Sequence, residues 1–156
     1  MRTPHLDAPL SYGVVWPVRT TDDLDHALRW LDRNSGPITL DTETSGLAFD
    51  AAVRLVQFGG DINAFVFDPY QFPELLDRVL KRSRFVAHNS AFDLPHLARL
   101  ITSTAVVETV QSLARRTTDT MLLAHLVDPR EKADGGIGRG LKALAEHHVD
   151  PNAPDG

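Results

Sequence analysis

The 156-residue chain contains no cysteine, which excludes disulfides, cysteine-ligated zinc and a thiol nucleophile. No stretch approaches the ~20 consecutive apolar residues that a membrane span needs. The opening residues, Met1-Arg2-Thr3-Pro4-His5-Leu6-Asp7, have no apolar core of signal-peptide length. These absences lead to the expectation of a cytoplasmic protein with no membrane association. Positive charge is also in short supply, with 16 Lys and Arg against 21 Asp and Glu, a net charge of −5. Basic side chains that neutralise phosphates supply most nonspecific nucleic-acid affinity, so the balance argues against a module that binds through a basic surface. An acidic chain can still hold a phosphodiester where divalent cations invert the local field. What remains is ordinary: 42% hydrophobic and 24% charged residues, at a length that suits one domain with its own core.

Hydrophobic periodicity divides the chain into alternating strands and helices. Residues 1–12 contain prolines and no periodic pattern and are expected to be a disordered lead. Residues 13–18 suit a strand, and Thr20-Thr21-Asp22-Asp23 reads as a helix start with acids well placed for the first turn. Leu24, Ala27, Leu28 and Leu31 continue at helical spacing, and Asn34-Ser35-Gly36 ends the run. Strands are expected over 38–43, 53–59 and 64–68, the last two joined by the short hairpin connection Asp61-Ile62-Asn63. A helix over 73–81 turns Leu75, Leu76, Val79 and Leu80 inward, and a short strand follows over 84–87. Helices are then predicted over 90–100, with Pro95 tolerated near the first turn, over 119–127 and over 141–148. Residues 150–156 look like a linker-like tail.

Two short stretches carry the chemistry. In Leu40-Asp41-Thr42-Glu43-Thr44-Ser45-Gly46-Leu47 the acids Asp41 and Glu43 alternate onto one face of a strand. Adjacent anions repel, which a fold tolerates at a solvated strand end or where a cation neutralises both. In Val86-Ala87-His88-Asn89-Ser90-Ala91-Phe92-Asp93 a strand runs into a helix that carries a third carboxylate. Hard divalent ions such as Mg²⁺ and Mn²⁺ prefer oxygen ligands. Taken singly, each of these residues also suits a plain role: a solvated strand end for Asp41 and Glu43, an early-helix acid for Asp93, an N-cap for Asn89.

In order and spacing the two stretches resemble motifs I and II of the DEDD 3′-5′ exonuclease superfamily, Asp-x-Glu followed by Asn-x-x-x-Asp. Thr118-Asp119-Thr120-Met121-Leu122-Leu123-Ala124-His125-Leu126-Val127-Asp128-Pro129 and Gly140-Leu141-Lys142-Ala143-Leu144-Ala145 bring the likeness closest to the proofreading exonuclease domain of bacterial and phage family A DNA polymerases. The resemblance implies an α/β, RNase H-like mixed sheet flanked by helices over residues 13–149. It also implies hydrolysis of phosphodiester bonds at a single-stranded DNA 3′ end by two Mg²⁺ or Mn²⁺ ions. By the same likeness Asp41, Glu43 and Asp93 are metal ligands and catalytic residues, and Leu47, His88, Asn89 and Phe92 contact the terminal nucleotides. A polymerase domain in cis or in trans is the implied partner. An RNase D-like exoribonuclease acting on RNA, or a noncatalytic nucleic-acid-binding remnant, are the alternatives.

The superfamily's third motif, Tyr or His with Asp four or five residues later, is missing: no tyrosine follows Tyr70, and neither His147 nor His148 has an acid at that spacing. The expectation is a domain left C-terminally incomplete, by truncation or a split gene. Three further features have plainer explanations. Asp119 reads as a helix cap, Gly135-Gly136-Ile137-Gly138-Arg139-Gly140 as a flexible connector that lacks the Gly-Lys-Ser/Thr ending of a phosphate loop, and His147-His148 as an exposed helix end. Phe92 suits a core aromatic as well as a base-stacking one, and His88 an ordinary strand-end histidine.

Overall fold

The computed structural model describes residues 13–152, so the expected lead and the last residues of the tail lie outside the described residues. Six strands form one mixed sheet: β1 (Val14–Pro17), β2 (Ile38–Thr44), β3 (Val53–Gly59), β4 (Asn63–Phe67), β5 (Phe85–Ala87) and β6 (Thr117–Asp119). Their spatial order is β1-β4-β3-β2-β5-β6. The β2–β3 and β3–β4 pairs are antiparallel, while β2–β5, β5–β6 and β1–β4 are parallel. The parallel entry of β5 beside β2 is what carries the second acidic stretch to the first.

The helices are α1 (Thr21–Arg33), α2 (Pro73–Leu80), α3 (Ser90–Ile101), α4 (Val106–Ala114), α5 (Thr120–Val127) and α6 (Leu141–His148). Thr20 caps α1 in a full capping box with Asp23, which satisfies donors that a helix start leaves orphaned. Pro73 opens α2, where its missing N–H costs nothing. Two elements that the pattern reading does not place, α4 and β6, follow α3 directly. Strand β6 is only three residues long and α4 buries only Leu113, so neither leaves a full period in the sequence.

One face of the sheet is packed. Ile38, Leu40 and Phe85 join Val56, Phe58, Phe65 and Phe67 beneath Leu24, Ala27 and Leu31 of α1, Leu75 and Val79 of α2, Leu94 and Leu97 of α3 and Leu113 of α4 in a single core. Phe58 and Phe65 are cross-strand partners whose rings stack at 5.2 Å, an arrangement worth more than its buried area alone. Alternation along β2 then sends Thr39, Asp41 and Glu43 to the opposite, exposed face. Helices α5 and α6 bury no residue among those described. Between them lies an open apolar groove of about 380 Å³ lined by Leu123, Val127, Leu144 and Val149 among others.

The glycine run connects α5 to α6 with backbone demands of its own. Gly135 and Gly138 adopt φ of 80° and 82°, and a Cβ on Gly136 would come within 2.3 Å of the Arg130 carbonyl oxygen. Only glycine meets both demands without strain. Among the described residues no helix is long and apolar enough to cross a membrane.

Candidate active site

Pairing between β2 and β3 holds register from Thr39 to Glu43 and shifts between Glu43 and Thr44. The two acids thus stand on the last regularly paired residues of the strand, next to the loop that carries Leu47. Cross-strand from Asp41 lies Gln57, whose amide donates to Glu43 Oε1 at 3.3 Å. Gln57 is a member of the site that sequence reasoning missed. The signal was available in retrospect, as a polar side chain on a strand otherwise rich in Val, Leu and Phe.

Asp93 arrives from the first turn of α3 and is almost fully buried, at 3% exposure. Its Oδ1 accepts the Thr42 main-chain N–H at 3.1 Å and the Thr42 hydroxyl at 2.6 Å. Thr42 itself points to the packed face, so the helix acid grips the strand between the residues that bear Asp41 and Glu43. Burial raises the Asp93 carboxyl above the usual range, and the two bonds from Thr42 offset part of that rise. The Asp41 carboxyl is pushed up to about 6, by desolvation first, then by the charges of Asp93 and Glu43. A main-chain bond from Thr42 and the proximity of His88 act the other way and do not restore it.

The structure therefore makes the three sequence-predicted acids electrostatic neighbours. Among the described residues no group of three or more His, Asp or Glu side chains converges closely enough to hold a metal ion as placed. The donor chemistry nonetheless fits a hard cation. Mg²⁺ is commonly held by one or two carboxylates together with waters and substrate phosphates, without an all-protein cage. An Asp41 carboxyl raised by desolvation and by two like charges is also the state expected of an acid cluster whose neutralising charge is supplied from outside.

The remaining predicted residues surround this cluster. His88 Nδ1 lies 2.9 Å from Thr120 Oγ1, which in turn donates to the Ala87 carbonyl at 3.2 Å. The Thr120 hydroxyl thus ties the His88 ring to the end of β5 through one of its two nitrogens. Asn89 is in the left-handed conformation, φ 62° and ψ 47°, and its side chain makes no cap bond. Asn89 thus holds the expected N-cap position of α3 without a capping side-chain bond. Asparagine is among the residues that tolerate this region, and the sharp turn from β5 into α3 demands it.

The capping falls to Asp119, another residue whose full role the sequence hides. Its carboxylate accepts from Asn89 N (3.2 Å), Ser90 N (2.7 Å), Ser90 Oγ (2.8 Å), Met121 N (2.9 Å) and Leu122 N (3.3 Å). One side chain thus serves the starts of α3 and α5 together. Burial works to raise the Asp119 carboxyl, but the bonds from Ser90, Leu122 and Met121 outweigh it and the net shift is downward.

Phe92 is half-buried and lies against His96 with ring centroids 4.8 Å apart, outside the main core. Leu47 is 90% exposed. His147 and His148 end α6 exposed, with their rings edge to face.

A family profile described as 3′-5′ exonuclease matches residues 16–154. Among curated relatives, the DNA polymerase of Mycobacterium phage D29 is 33% identical over 143 residues, which cover 85% of this chain and 22% of the polymerase. DNA polymerase I of Aquifex aeolicus is 36% identical over 80 residues, covering 50% of this chain and 13% of that protein. The chain therefore spans about a fifth of the phage polymerase's length. Of solved structures, Escherichia coli RNase D, an exoribonuclease, superposes with a TM-score of 0.64 at 18% identity, over 93% of this chain and 35% of that one. The Aedes aegypti Nibbler EXO domain does so at 0.60 and 18%, over 96% and 72%. At these identities the two structures establish the shared fold.

Proposed function

The chain belongs to the 3′-5′ exonuclease family, and from that premise we propose that it is the proofreading exonuclease module of a DNA polymerase I-like protein. Its substrate would be the 3′ end of single-stranded DNA, and its product nucleoside monophosphates. The observation that carries this reading is the arrangement of Asp41, Glu43 and Asp93, in which a buried helix acid grips the main chain of Thr42 between two exposed strand acids. The phage and Aquifex relatives support DNA as substrate and a polymerase domain as partner, in cis or in trans.

Two Mg²⁺ or Mn²⁺ ions, when bound, would supply an activated hydroxide at neutral pH and stabilise the leaving 3′-oxygen. Asp41 and Glu43, exposed on the open face of the sheet, would hold these ions with Asp93. Asp93 also keeps β2 and α3 in register through Thr42. Gln57 orients the Glu43 carboxylate. His88, its ring tied to Thr120 through Nδ1, has a second nitrogen that would serve a substrate phosphate. Asn89 exposes its side chain at the β5–α3 turn, and Leu47 and Phe92 offer apolar surface to the terminal nucleotides. The fourth carboxylate and the water-orienting residue of the superfamily's third motif have no counterpart in this sequence.

The test is release of mononucleotides from 5′-labelled single-stranded DNA with Mg²⁺ or Mn²⁺, with Asp41→Ala/Glu43→Ala as control. Metal-dependent shortening from the 3′ end that the double variant loses is the expected result. No shortening above the control would defeat the reading for this chain alone, and would leave a binding remnant or a site completed by another segment. A parallel RNA oligonucleotide decides between DNA and the RNase D-like alternative.

A further inference from the structure

Two large apolar side chains project from the loop that follows β2: Leu47 is 90% exposed and Phe49 66%. Such exposure on a loose loop would be unremarkable, but this loop is tied down from several sides. Ser45 N donates to the Ala52 carbonyl at 2.9 Å, Ala52 N to Ser45 Oγ at 3.0 Å, and Ala51 N to the Ala48 carbonyl at 2.9 Å. The base of the loop is closed by its own backbone.

Its tip is fastened to α3, the helix that bears Asp93. Buried His96, one turn beyond Asp93, places Nδ1 at 2.9 Å from the Phe92 carbonyl and Nε2 at 3.3 Å from the Ala48 carbonyl. A further turn along, Arg99 donates to the Phe49 carbonyl and lays its guanidinium over the Phe49 ring, 5.1 Å from the centroid. An arginine on one side of an aromatic ring fixes the ring by a cation–π contact. The ring stays 66% exposed all the same. A tethered, solvent-facing aromatic on the loop that follows the strand acids, fastened to the helix that carries Asp93, has the form of a stacking platform, which is tolerant of base identity because every base offers a π-face.

We propose that Phe49, held by Arg99 and by the His96-anchored loop, stacks on a base near the 3′ end of the bound strand, with His96 and Arg99 as positioning residues. This rests on the exonuclease reading above. The platform and the acids are then mounted on the same two elements, so that seating a base sets the position of the adjoining phosphodiester relative to Asp41 and Glu43.

The test measures binding of a short 5′-fluorescein-labelled single-stranded DNA by anisotropy in Ca²⁺, with an ordinary 3′ end or with abasic sugars as its last nucleotides. Wild type should bind the ordinary end about tenfold more tightly, the scale of one base–aromatic stack. Phe49→Ala should lose most of that preference, leaving what Leu47 and Phe92 contribute, while Phe49→Trp should keep it and Arg99→Gln should weaken it. The side chain is exposed, so these variants fold, which thermal unfolding verifies. Equal preference in wild type and Phe49→Ala, or none in wild type, overturns the proposal. The cleavage assay in Mn²⁺ separates the two ideas: discrimination without cleavage keeps the platform and removes the exonuclease reading, and cleavage without discrimination does the reverse.

Discussion

Asp93 and Thr42 form a two-point contact in which one carboxylate oxygen accepts both the main-chain N–H and the hydroxyl of the same residue, at 3.1 Å and 2.6 Å. The contact joins residues 51 positions apart in sequence and ties the strand that bears Asp41 and Glu43 to the helix that bears Asp93. We predict that Thr42→Val, which keeps the shape and removes the hydroxyl, destabilises the domain by about 1–2 kcal/mol. It should also lower exonuclease activity at least tenfold, since small misplacements of catalytic groups cost heavily. Thr42→Ser should restore most of both. Urea unfolding and initial cleavage rates are the readouts, and a Thr42→Val protein with wild-type rate would remove the contact from the site's account.

The raised carboxyl of Asp41 has a pH consequence with a definite sign. Its folded value of about 6 lies above the ordinary 3.8, so the native state binds more protons than the unfolded state between those values. Stability then falls as pH rises through that window. Asp93, also raised, contributes in the same direction. Asp41→Asn in EDTA is therefore expected to be more stable than wild type near neutral pH and to lose that advantage on acidification to about pH 4. Thermal midpoints across the range test this. An Asn variant no more stable at neutral pH would show that in solution the Asp41 carboxylate escapes both the desolvation and the repulsion.

Divalent cations should act on the same charge. Mn²⁺ is expected to raise the thermal midpoint of wild type at neutral pH by mass action and to leave Asp41→Ala/Glu43→Ala unchanged. A matching rise in the double variant would place the cation elsewhere.

Asp119 serves two helix starts and should behave as a structural residue. Asp119→Ala strips acceptors from four main-chain N–H groups and one hydroxyl, and a loss of about 3 kcal/mol is expected. Asp119→Asn should cost less, because its amide oxygen still accepts. Below its lowered midpoint the Asn variant should retain a metal dependence like that of wild type. A selective loss of activity at unchanged stability would instead make Asp119 part of the chemistry.

At the β3–β4 hairpin, a Cβ on Gly59 would meet the Asn63 carbonyl oxygen at 2.3 Å and Ala64 Cα at 2.9 Å. Gly59→Ala is expected to cost about 2 kcal/mol, read as a shifted denaturation midpoint. A neutral result would mean that the hairpin relaxes without loss of strand pairing.

Much of the architecture is legible in the sequence because its elements are strongly periodic and clearly bounded. The α1 start at Thr20, the β3–β4 hairpin around residues 61–63 and the α2 start at Pro73 all follow from caps, turns and alternation. Helix α4 and strand β6 escape that reading because each buries too little to impose a pattern. Within the site, Asp41 and Glu43 announce themselves as two acids on one strand face. Thr42, Gln57, His96 and Asp119 do not, since their roles consist of bonds to residues far away along the chain. Asn89 shows the limit of local reasoning. Its type and place suggest a capping side chain, while the fold uses its tolerance of positive φ and gives the capping to Asp119.

The sequence by itself determined which residues alternate to which face, where helices begin and stop, and that two acids would share one exposed strand face, because these are matters of spacing and backbone preference over a few residues. Only the tertiary structure decided that β5 enters parallel to β2, that Asp93 closes on Thr42, and that the loop carrying Leu47 and Phe49 is fastened to α3. Those outcomes depend on which surfaces bury one another, and burial joins residues that no local pattern relates.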